Sequence, residues 1–164
     1  MDMTGKRHSY RVTVEWIGNR GPGTLNHAGY GREHTISAGA KPPIAGSSDP
    51  AFRGDPARWN PEDLLLASIS ACHKLWYLGL CAEAGISVLS YRDEAEATML
   101  EDAGLEDAGG AGRFVSATLR PTITIRAGGD ITAARRLHLD AHAHCFIANS
   151  VNFPITCDPV IMIE

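Results

Sequence analysis

Cysteine side chains are the first candidates for chemistry in this sequence. Cys72 follows a helix-start signal at Asn60 by twelve residues. The commoner role for such a cysteine is that of a small apolar core residue. A reactive thiolate at this depth needs a cation from outside the helix, because the helix dipole acts only within the first turn. His73 is a weak partner, since adjacent helical side chains point about 100° apart.

Glu62 and Arg20 are the charged residues that could serve Cys72. Ten residues separate Glu62 from Cys72, and this separation places both side chains within about 80° of each other on one side of a helix. A carboxylate there can hold a guanidinium above the thiol, and Arg20 is a candidate for that guanidinium. Each residue also has a simpler role: Glu62 can complement the helix dipole, and Arg20 can be a solvated turn residue.

A second helix carries a rival set of residues. His138, His142 and Cys145 occur at i, i+4 and i+7, a spacing that suits a tetrahedral metal ion. No CxxC motif or second histidine pair supplies a fourth ligand, so metal binding is the less favoured interpretation. Cys81 is interpreted as a core residue and Cys157 as a structural one.

The elements that must position these residues form an α+β pattern. Asn60 is a good N-cap, Pro61 suits the first helical position, and two carboxylates follow at the positive end of the dipole. Residues 39–59 are rich in proline and glycine and predict a long irregular loop. Pro121 predicts an edge position or a bulge in its strand. The pattern predicts helices over 64–84 and 131–148, strands over 8–17, 87–100, 114–126 and 154–163, two short strands within 24–37, and an acidic connection over 101–112.

The first helix is apolar nearly all round, with leucines, Ile69 and Trp76 spread over every face. Such a helix is buried on all sides, either inside a large core or between subunits. Because a chain of this size has little else with which to surround it, we expect an obligate homodimer.

Length and charge set further bounds. The chain has 164 residues, with 15 basic and 19 acidic side chains and a net charge of -4, so we expect a single domain over residues 1–164. Basic residues do not cluster, which argues against nucleic acid as a partner. No apolar run approaches the roughly 18 residues of a membrane span. We therefore expect a cytoplasmic protein without a membrane partner, in which the four cysteines need not form structural disulfides.

Three segments resemble the OsmC/Ohr family of osmotically inducible and organic hydroperoxide resistance proteins. Residues 60–72 resemble that family's NPE(x)L…AAC helix, with the same step from glutamate to cysteine. Residues 19–24 look like its Arg-Gly-x-Gly-Thr turn. Residues 144–150 are similar to its second-cysteine segment, and 73 residues separate the two cysteines, as is usual there. The resemblance covers essentially the whole chain.

The resemblance implies an OsmC-like α+β fold, with antiparallel sheets around a long buried central helix and two sites at the interface of an intertwined homodimer. It implies that Cys72 is the peroxidatic thiol and Cys145 the resolving thiol, that Arg20 stabilises the thiolate, and that Glu62 holds Arg20. The implied substrate is an organic hydroperoxide, which apolar neighbours of the thiol would favour. The implied reductant is a lipoylated protein or another dithiol, and no cofactor or metal is required.

Two departures from the family pattern leave alternatives open. Phe146 follows the second cysteine where the family usually has proline. The 39–59 loop carries Arg53 and Arg58, either of which could replace Arg20 as the activating cation. Three hypotheses follow: a thiol peroxidase, a non-catalytic redox-sensing or metal-binding protein of the same fold, and a dimeric binder of small ligands.

Overall fold

Nine strands and two helices occur in residues 5–101 and 112–164, the part of the chain that this computed structural model describes. By its internal contacts the chain divides into two units, Met1–Leu64 and Leu65–Glu164. The acidic connection predicted over residues 101–112 lies, apart from its end residues, outside the described part. The elements are β1 (Thr13–Trp16), β2 (His34–Ser37), β3 (Ile44–Gly46), α1 (Pro61–Glu83), β4 (Val88–Asp93), β5 (Glu96–Glu101), β6 (Gly112–Leu119), β7 (Pro121–Ile125), α2 (Ile131–His144), β8 (Ile155–Cys157) and β9 (Val160–Ile163).

The first unit contains an antiparallel sheet in the order β1-β2-β3. Only one of the two strands predicted within residues 24–37 forms. The other is replaced by turns around Asn26, whose side chain accepts a hydrogen bond from the Ala28 N–H at 3.1 Å and whose carbonyl accepts one from Gly29 at 3.1 Å. The proline-rich loop is not wholly irregular, because it contains β3 and a 3-10 turn over Pro50–Phe52.

Local capping groups set both ends of α1. The Asn60 side-chain oxygen accepts a hydrogen bond from the Asp63 N–H at 2.7 Å, as its N-cap position predicts. The helix ends before Gly85, whose φ of 72° is costly for other residues. The Ile86 N–H then donates to the Cys81 carbonyl at 2.8 Å, which closes a Schellman motif.

The second unit contains two mixed three-stranded sheets, in the orders β4-β7-β9 and β5-β6-β8. The sequence predicts three strands in this unit, and each of them forms as two shorter strands, one in each sheet. The resulting pairs are β4 and β5, β6 and β7, and β8 and β9. The expected antiparallel pairings are present between β4 and β7 and between β5 and β6. The last two strands add parallel pairings, β6 with β8 and β7 with β9.

Arg120 stands where the chain passes from β6 to β7. Its N–H donates to the Asp93 carboxylate at 2.7 Å, and its guanidinium lies 3.2 Å from Glu96 and 3.8 Å from Asp158. These contacts bring together the three connections at which the chain passes from one sheet to the other, namely β4–β5, β6–β7 and β8–β9. The prediction that Pro121 marks an edge or a bulge is wrong: it begins the central strand β7, a position where its missing N–H is tolerated.

Within one chain, α1 buries a single stripe, whose members are Ile69, His73, Tyr77 and Cys81. Leu75 on another side is 65% exposed, so the all-round burial expected from the sequence is not met by this chain alone. Tyr77 and Cys81 of this stripe pack in a core built with α2 and the central strand β7.

By length and composition alone, α1 is also long and apolar enough to cross a membrane. The expectation that no apolar segment approaches the length of a membrane span is therefore wrong. Packing of its buried stripe against α2 and β7 is the arrangement of a core helix in a globular domain.

We predict that Asn60→Ala lowers the free energy of unfolding by about 1 kcal/mol, because the Asp63 N–H loses its acceptor at a buried position. Asn60→Asp keeps a side-chain acceptor and is the matched control. Urea denaturation measures both variants, and equal stability of Asn60→Ala and Asn60→Asp would contradict the role assigned to this cap.

Candidate redox site

Cys72 and Cys145 meet between the two helices of the second unit. Cys72 lies in the middle of α1 and is partly exposed, whereas Cys145 is the fully buried C-cap residue of α2. The two thiols lie close enough for Cys72 to contribute to the raised pKa of Cys145. The structure therefore brings together the two cysteines that the sequence analysis singled out.

The surroundings of Cys145 keep it protonated. Burial, with smaller contributions from the Cys72 contact, raises the pKa of Cys145 to about 11, although the Ala148 N–H donates to its sulfur at 3.4 Å and opposes the shift. At neutral pH Cys145 is thus a neutral thiol that can stabilise negative charge on Cys72 by hydrogen bonding.

An aromatic surface adjoins the two thiols. Trp76 is one helical turn after Cys72, and Phe146 follows Cys145. The Trp76 and Phe146 rings meet edge to face with centroids 5.5 Å apart, and His144 lies 5.1 Å from Trp76. Phe146 is 69% exposed, so this surface can offer apolar contacts to an incoming molecule.

Arg20 and Glu62 are not paired within the first unit. The Arg20 guanidinium is largely exposed and lies 3.8 Å from the Glu33 carboxylate. Its turn is shaped by Asn19, whose side chain accepts hydrogen bonds from the N–H groups of Gly21 and Gly23 at 2.9 and 3.1 Å. One carboxylate oxygen of Glu62 is buried and has no hydrogen-bond partner among the residues described. The roles of both residues in activating Cys72 remain predictions.

The two alternative arginines are placed differently from each other. Arg53 is exposed and adopts a left-handed backbone conformation with φ of 65° at the end of the 3-10 turn. Arg58 is partly buried and lies 3.4 Å from the Asp55 carboxylate. Arg58 therefore already has an anionic partner, whereas no ion pair involves Arg53 in the described ranges.

The metal set considered from the sequence, His138, His142 and Cys145, does not come together. Cys145 contacts Cys72, and His142 is exposed while His138 is buried. In the described part of the chain, the one group of side chains with metal-binding spacing is instead His73, His138 and Cys157, whose ligand atoms lie within 4.8 Å of one another. Sequence spacing within one helix could not find this group, because its members come from α1, α2 and β8.

The two histidines of this group form a buried pair. His73 Nε2 lies 2.9 Å from His138 Nδ1, and the two rings are within 6° of parallel. Tyr77 stacks on His138 with ring centroids 3.9 Å apart. Burial lowers the pKa of His73 to about 4, although Asp93 opposes the shift. Burial, together with His73 and Arg135, lowers the pKa of His138 to about 3, so both rings are neutral at pH 7.

These lowered pKa values predict loss of stability in mild acid. An unfolded chain binds protons at both histidines near pH 6.5, whereas the folded chain does not until about pH 4 or below. The free energy of unfolding should therefore fall as the pH decreases below about 6.5, by up to about 1.4 kcal/mol per pH unit for each histidine.

Urea denaturation of the chelator-treated protein at pH 7.5 and at pH 5 measures this slope. We expect a clearly smaller slope for His138→Gln, and an unchanged slope for His144→Gln, which alters an exposed histidine. Equal slopes for the wild type and His138→Gln would show that burial of this pair does not control acid stability.

Comparison with known proteins agrees with this architecture. Residues 54–159 match the family model described as OsmC-like protein. Comparison with curated protein sequences gives no significant match. An OsmC-like protein of unknown function from Vibrio cholerae is 24% identical and superposes with a TM-score of 0.81, over 94% of this chain and 100% of that one.

Two similar structures carry names that refer to organic hydroperoxide resistance. The protein from Elizabethkingia anophelis is 17% identical, with a TM-score of 0.66 over 97% of this chain and 99% of that one. The OhrB protein of Bacillus subtilis is 19% identical, with a TM-score of 0.59 over 96% and 98%. At such identities these likenesses show the fold alone. The family model spans more than half of the sequence, and on that ground the chain belongs to the OsmC-like protein family.

Proposed function

We propose that this protein is a thiol peroxidase that reduces organic hydroperoxides to alcohols, with Cys72 as the peroxidatic thiol and Cys145 as the resolving thiol. The observation that carries the proposal is the proximity of the two thiols, which are close enough for Cys72 to contribute to the raised pKa of Cys145. A partly exposed cysteine is in contact with a second cysteine that can close a disulfide with it, and this pairing is what a two-thiol peroxidase requires.

The reaction proceeds in two steps. The Cys72 thiolate attacks the terminal oxygen of the hydroperoxide, the O–O bond breaks, and the alkoxide leaves as an alcohol after it takes up a proton. Cys72 is then a sulfenic acid, two electrons more oxidised than the thiolate. The sulfur of Cys145 displaces the hydroxyl group, which leaves as water, and a Cys72–Cys145 disulfide forms. A dithiol reductant, such as a lipoylated protein, restores both thiols by exchange.

A guanidinium is proposed to assist the first step, since it stays charged and can donate hydrogen bonds to both thiolate and peroxide. Arg20 is the first candidate and would have to exchange Glu33 for Glu62 as its partner, and Arg53 and Arg58 are the alternatives. The buried carboxylate oxygen of Glu62 supports a donor at this position, because an unpaired buried carboxylate oxygen is costly.

The substrate is proposed to be bulky and apolar. Trp76 and Phe146 form an aromatic corner beside the thiols, and such a surface binds an aryl or long alkyl hydroperoxide better than hydrogen peroxide. Phe146 stands where similar proteins usually have proline, so this chain offers an additional aromatic contact there.

A homodimer is proposed as the working form, in the cytoplasm. The exposed face of α1, which includes Leu75, supports this proposal, since an apolar helix face gains stability when a second subunit covers it. A reducing compartment would keep the four cysteines as the free thiols that the structure shows.

We predict that Cys72→Ser consumes cumene hydroperoxide at less than a tenth of the wild-type rate, because a serine hydroxyl is a far poorer nucleophile at neutral pH. Cys81→Ala is the matched control and should keep the activity, since it removes a fully buried thiol on the opposite side of α1. A reductant-coupled assay measures both variants. Retention of a tenth or more of the activity by Cys72→Ser would remove Cys72 from the centre of the mechanism.

Cys145→Ser should separate the two steps. We expect it to consume about one equivalent of hydroperoxide per chain, to leave Cys72 as a sulfenic acid, and to fail to turn over with a dithiol, because only the condensation step needs Cys145. Stopped-flow mixing followed by dimedone labelling and mass spectrometry measures these outcomes. Turnover unchanged by the substitution would mean that an external thiol reacts with oxidised Cys72 directly.

A further inference from the structure

We propose that His73, His138 and Cys157 form a binding site for one zinc ion, separate from the thiol pair. The three residues come from α1, α2 and β8 and converge in the interior of the second unit. His73 and His138 are 1% and 4% exposed. The proposed peroxide chemistry uses none of the three, and packing alone does not require two histidines and a cysteine at one point.

The spacing of the ligand atoms suits tetrahedral zinc. Zinc binds histidine nitrogen at about 2.0–2.1 Å and cysteine sulfur at about 2.3 Å, so two nitrogens of one tetrahedron lie about 3.3 Å apart and a nitrogen and a sulfur about 3.6 Å apart. In this structure the Cys157 sulfur lies 3.6 Å from His138 Nδ1 and 3.8 Å from His73 Nε2. The two nitrogens, at 2.9 Å, need to separate by only a few tenths of an ångström.

A bound ion would use the facing nitrogens of the two histidines and leave their outer nitrogens protonated. Their outer nitrogens, His73 Nδ1 and His138 Nε2, are buried and have no partner among the residues described. The facing nitrogens lie 2.9 Å apart and can share only one proton between them. Stacking of Tyr77 on His138 fixes the plane of one ring, which reduces the reorganisation that a bound ion would require.

One carboxylate, Asp93, acts at this point, where it opposes the positive charge of Arg135 on the α2 side. Asp93 lies close enough to His73 and Cys157 to raise the pKa of both, and its carboxylate accepts a hydrogen bond from Arg120 N–H. A zinc ion with one thiolate ligand carries a net charge of +1, which the Asp93 carboxylate offsets. A buried cation with a nearby carboxylate is far less costly than an isolated one.

Zinc uptake displaces one proton from the protein. The Cys157 thiol loses its proton to solvent, and the proton shared by the facing nitrogens moves to an outer nitrogen of one ring. Both histidines then offer a lone pair in their neutral form. Burial raises the pKa of Cys157 to about 12, so the ion must compete with a firmly held proton, and affinity rises with pH.

An entry route and a fourth coordination position exist on the α2 side. His138 and Cys157 line a cavity of about 610 Å³, together with His142, Arg135 and Asp158. Three protein ligands with one position open to a cavity is the arrangement of zinc sites that bind water or an exogenous ligand.

The competing role for the three residues is a metal-free hydrogen-bonded cluster that only stabilises the core.

Cobalt(II) titration of the full-length, metal-free protein distinguishes these two roles. We expect thiolate-to-cobalt charge-transfer absorption and the intense d–d bands of tetrahedral coordination, saturating at one cobalt per chain and lost when zinc is added. Cys157→Ser should lose the charge-transfer band, and His138→Gln should weaken zinc binding at least tenfold. Cys72→Ser is the matched control and should keep both bands.

Two results would overturn the proposal. One is the absence of thiolate-to-cobalt absorption in the wild-type protein. The other is a band that persists in Cys157→Ser and is lost in Cys72→Ser, which would place the ion at the thiol pair. If Cys157→Ser does not fold, alkylation of the wild-type protein by iodoacetamide tests the site instead. We expect zinc to protect Cys157 from alkylation, as measured by mass spectrometry. Equal alkylation of Cys157 with and without zinc would refute the site. None of these readouts depends on peroxidase activity.

Discussion

Side-chain contact between α1 and α2 is the constraint on which the second unit depends. The buried stripe of α1 recurs every four residues, and α2 presents Ala134 and Ala141 to the same core. The His73 and Tyr77 rings of α1 stack on His138 of α2, and these contacts fix the relative register of the two helices. That register determines which side chains of α1 face which side chains of α2, and the chemistry of the unit follows from it.

Two neighbouring positions of α1 acquire different roles from this register. Cys72 meets Cys145 at the C-terminal end of α2, whereas His73 points into the core and meets His138, about two turns earlier in α2. The partly exposed cysteine can contact substrate, and the buried histidine cannot. Adjacent residues of one helix thus lie at the proposed redox pair on one side and at the proposed metal site on the other.

Local signals in the sequence predicted some elements well and others poorly. The Asn60 cap and Gly85 define α1 because their hydrogen bonds are local. The division of three stretches into pairs of strands could not be predicted, because alternating polarity continues across a bend between sheets. Contacts of Arg120 with Asp93 and Asp158 hold those bends together, and they join residues far apart in the chain.

The same reasoning explains which site residues were accessible to prediction. Resemblance to a family could name Cys72 and Cys145 as a pair, and the structure brings their sulfurs together. The meeting of Cys157 with two histidines involves three separate elements, so no spacing rule along the chain detects it. Arg20 contacts Glu33 in this chain, and its predicted partner Glu62 retains an unpaired oxygen.

The central claim is that Cys72 and Cys145 are one redox pair. Its most direct test is to treat the fully reduced protein with one equivalent of cumene hydroperoxide per chain, quench by alkylation in acid, and map the disulfide by mass spectrometry. The account predicts a single intrachain Cys72–Cys145 disulfide formed in near-stoichiometric yield, with Cys81 and Cys157 recovered as reduced thiols. A protein in which Cys72 stays reduced, or in which Cys145 remains a free thiol after Cys72 is oxidised, would contradict it.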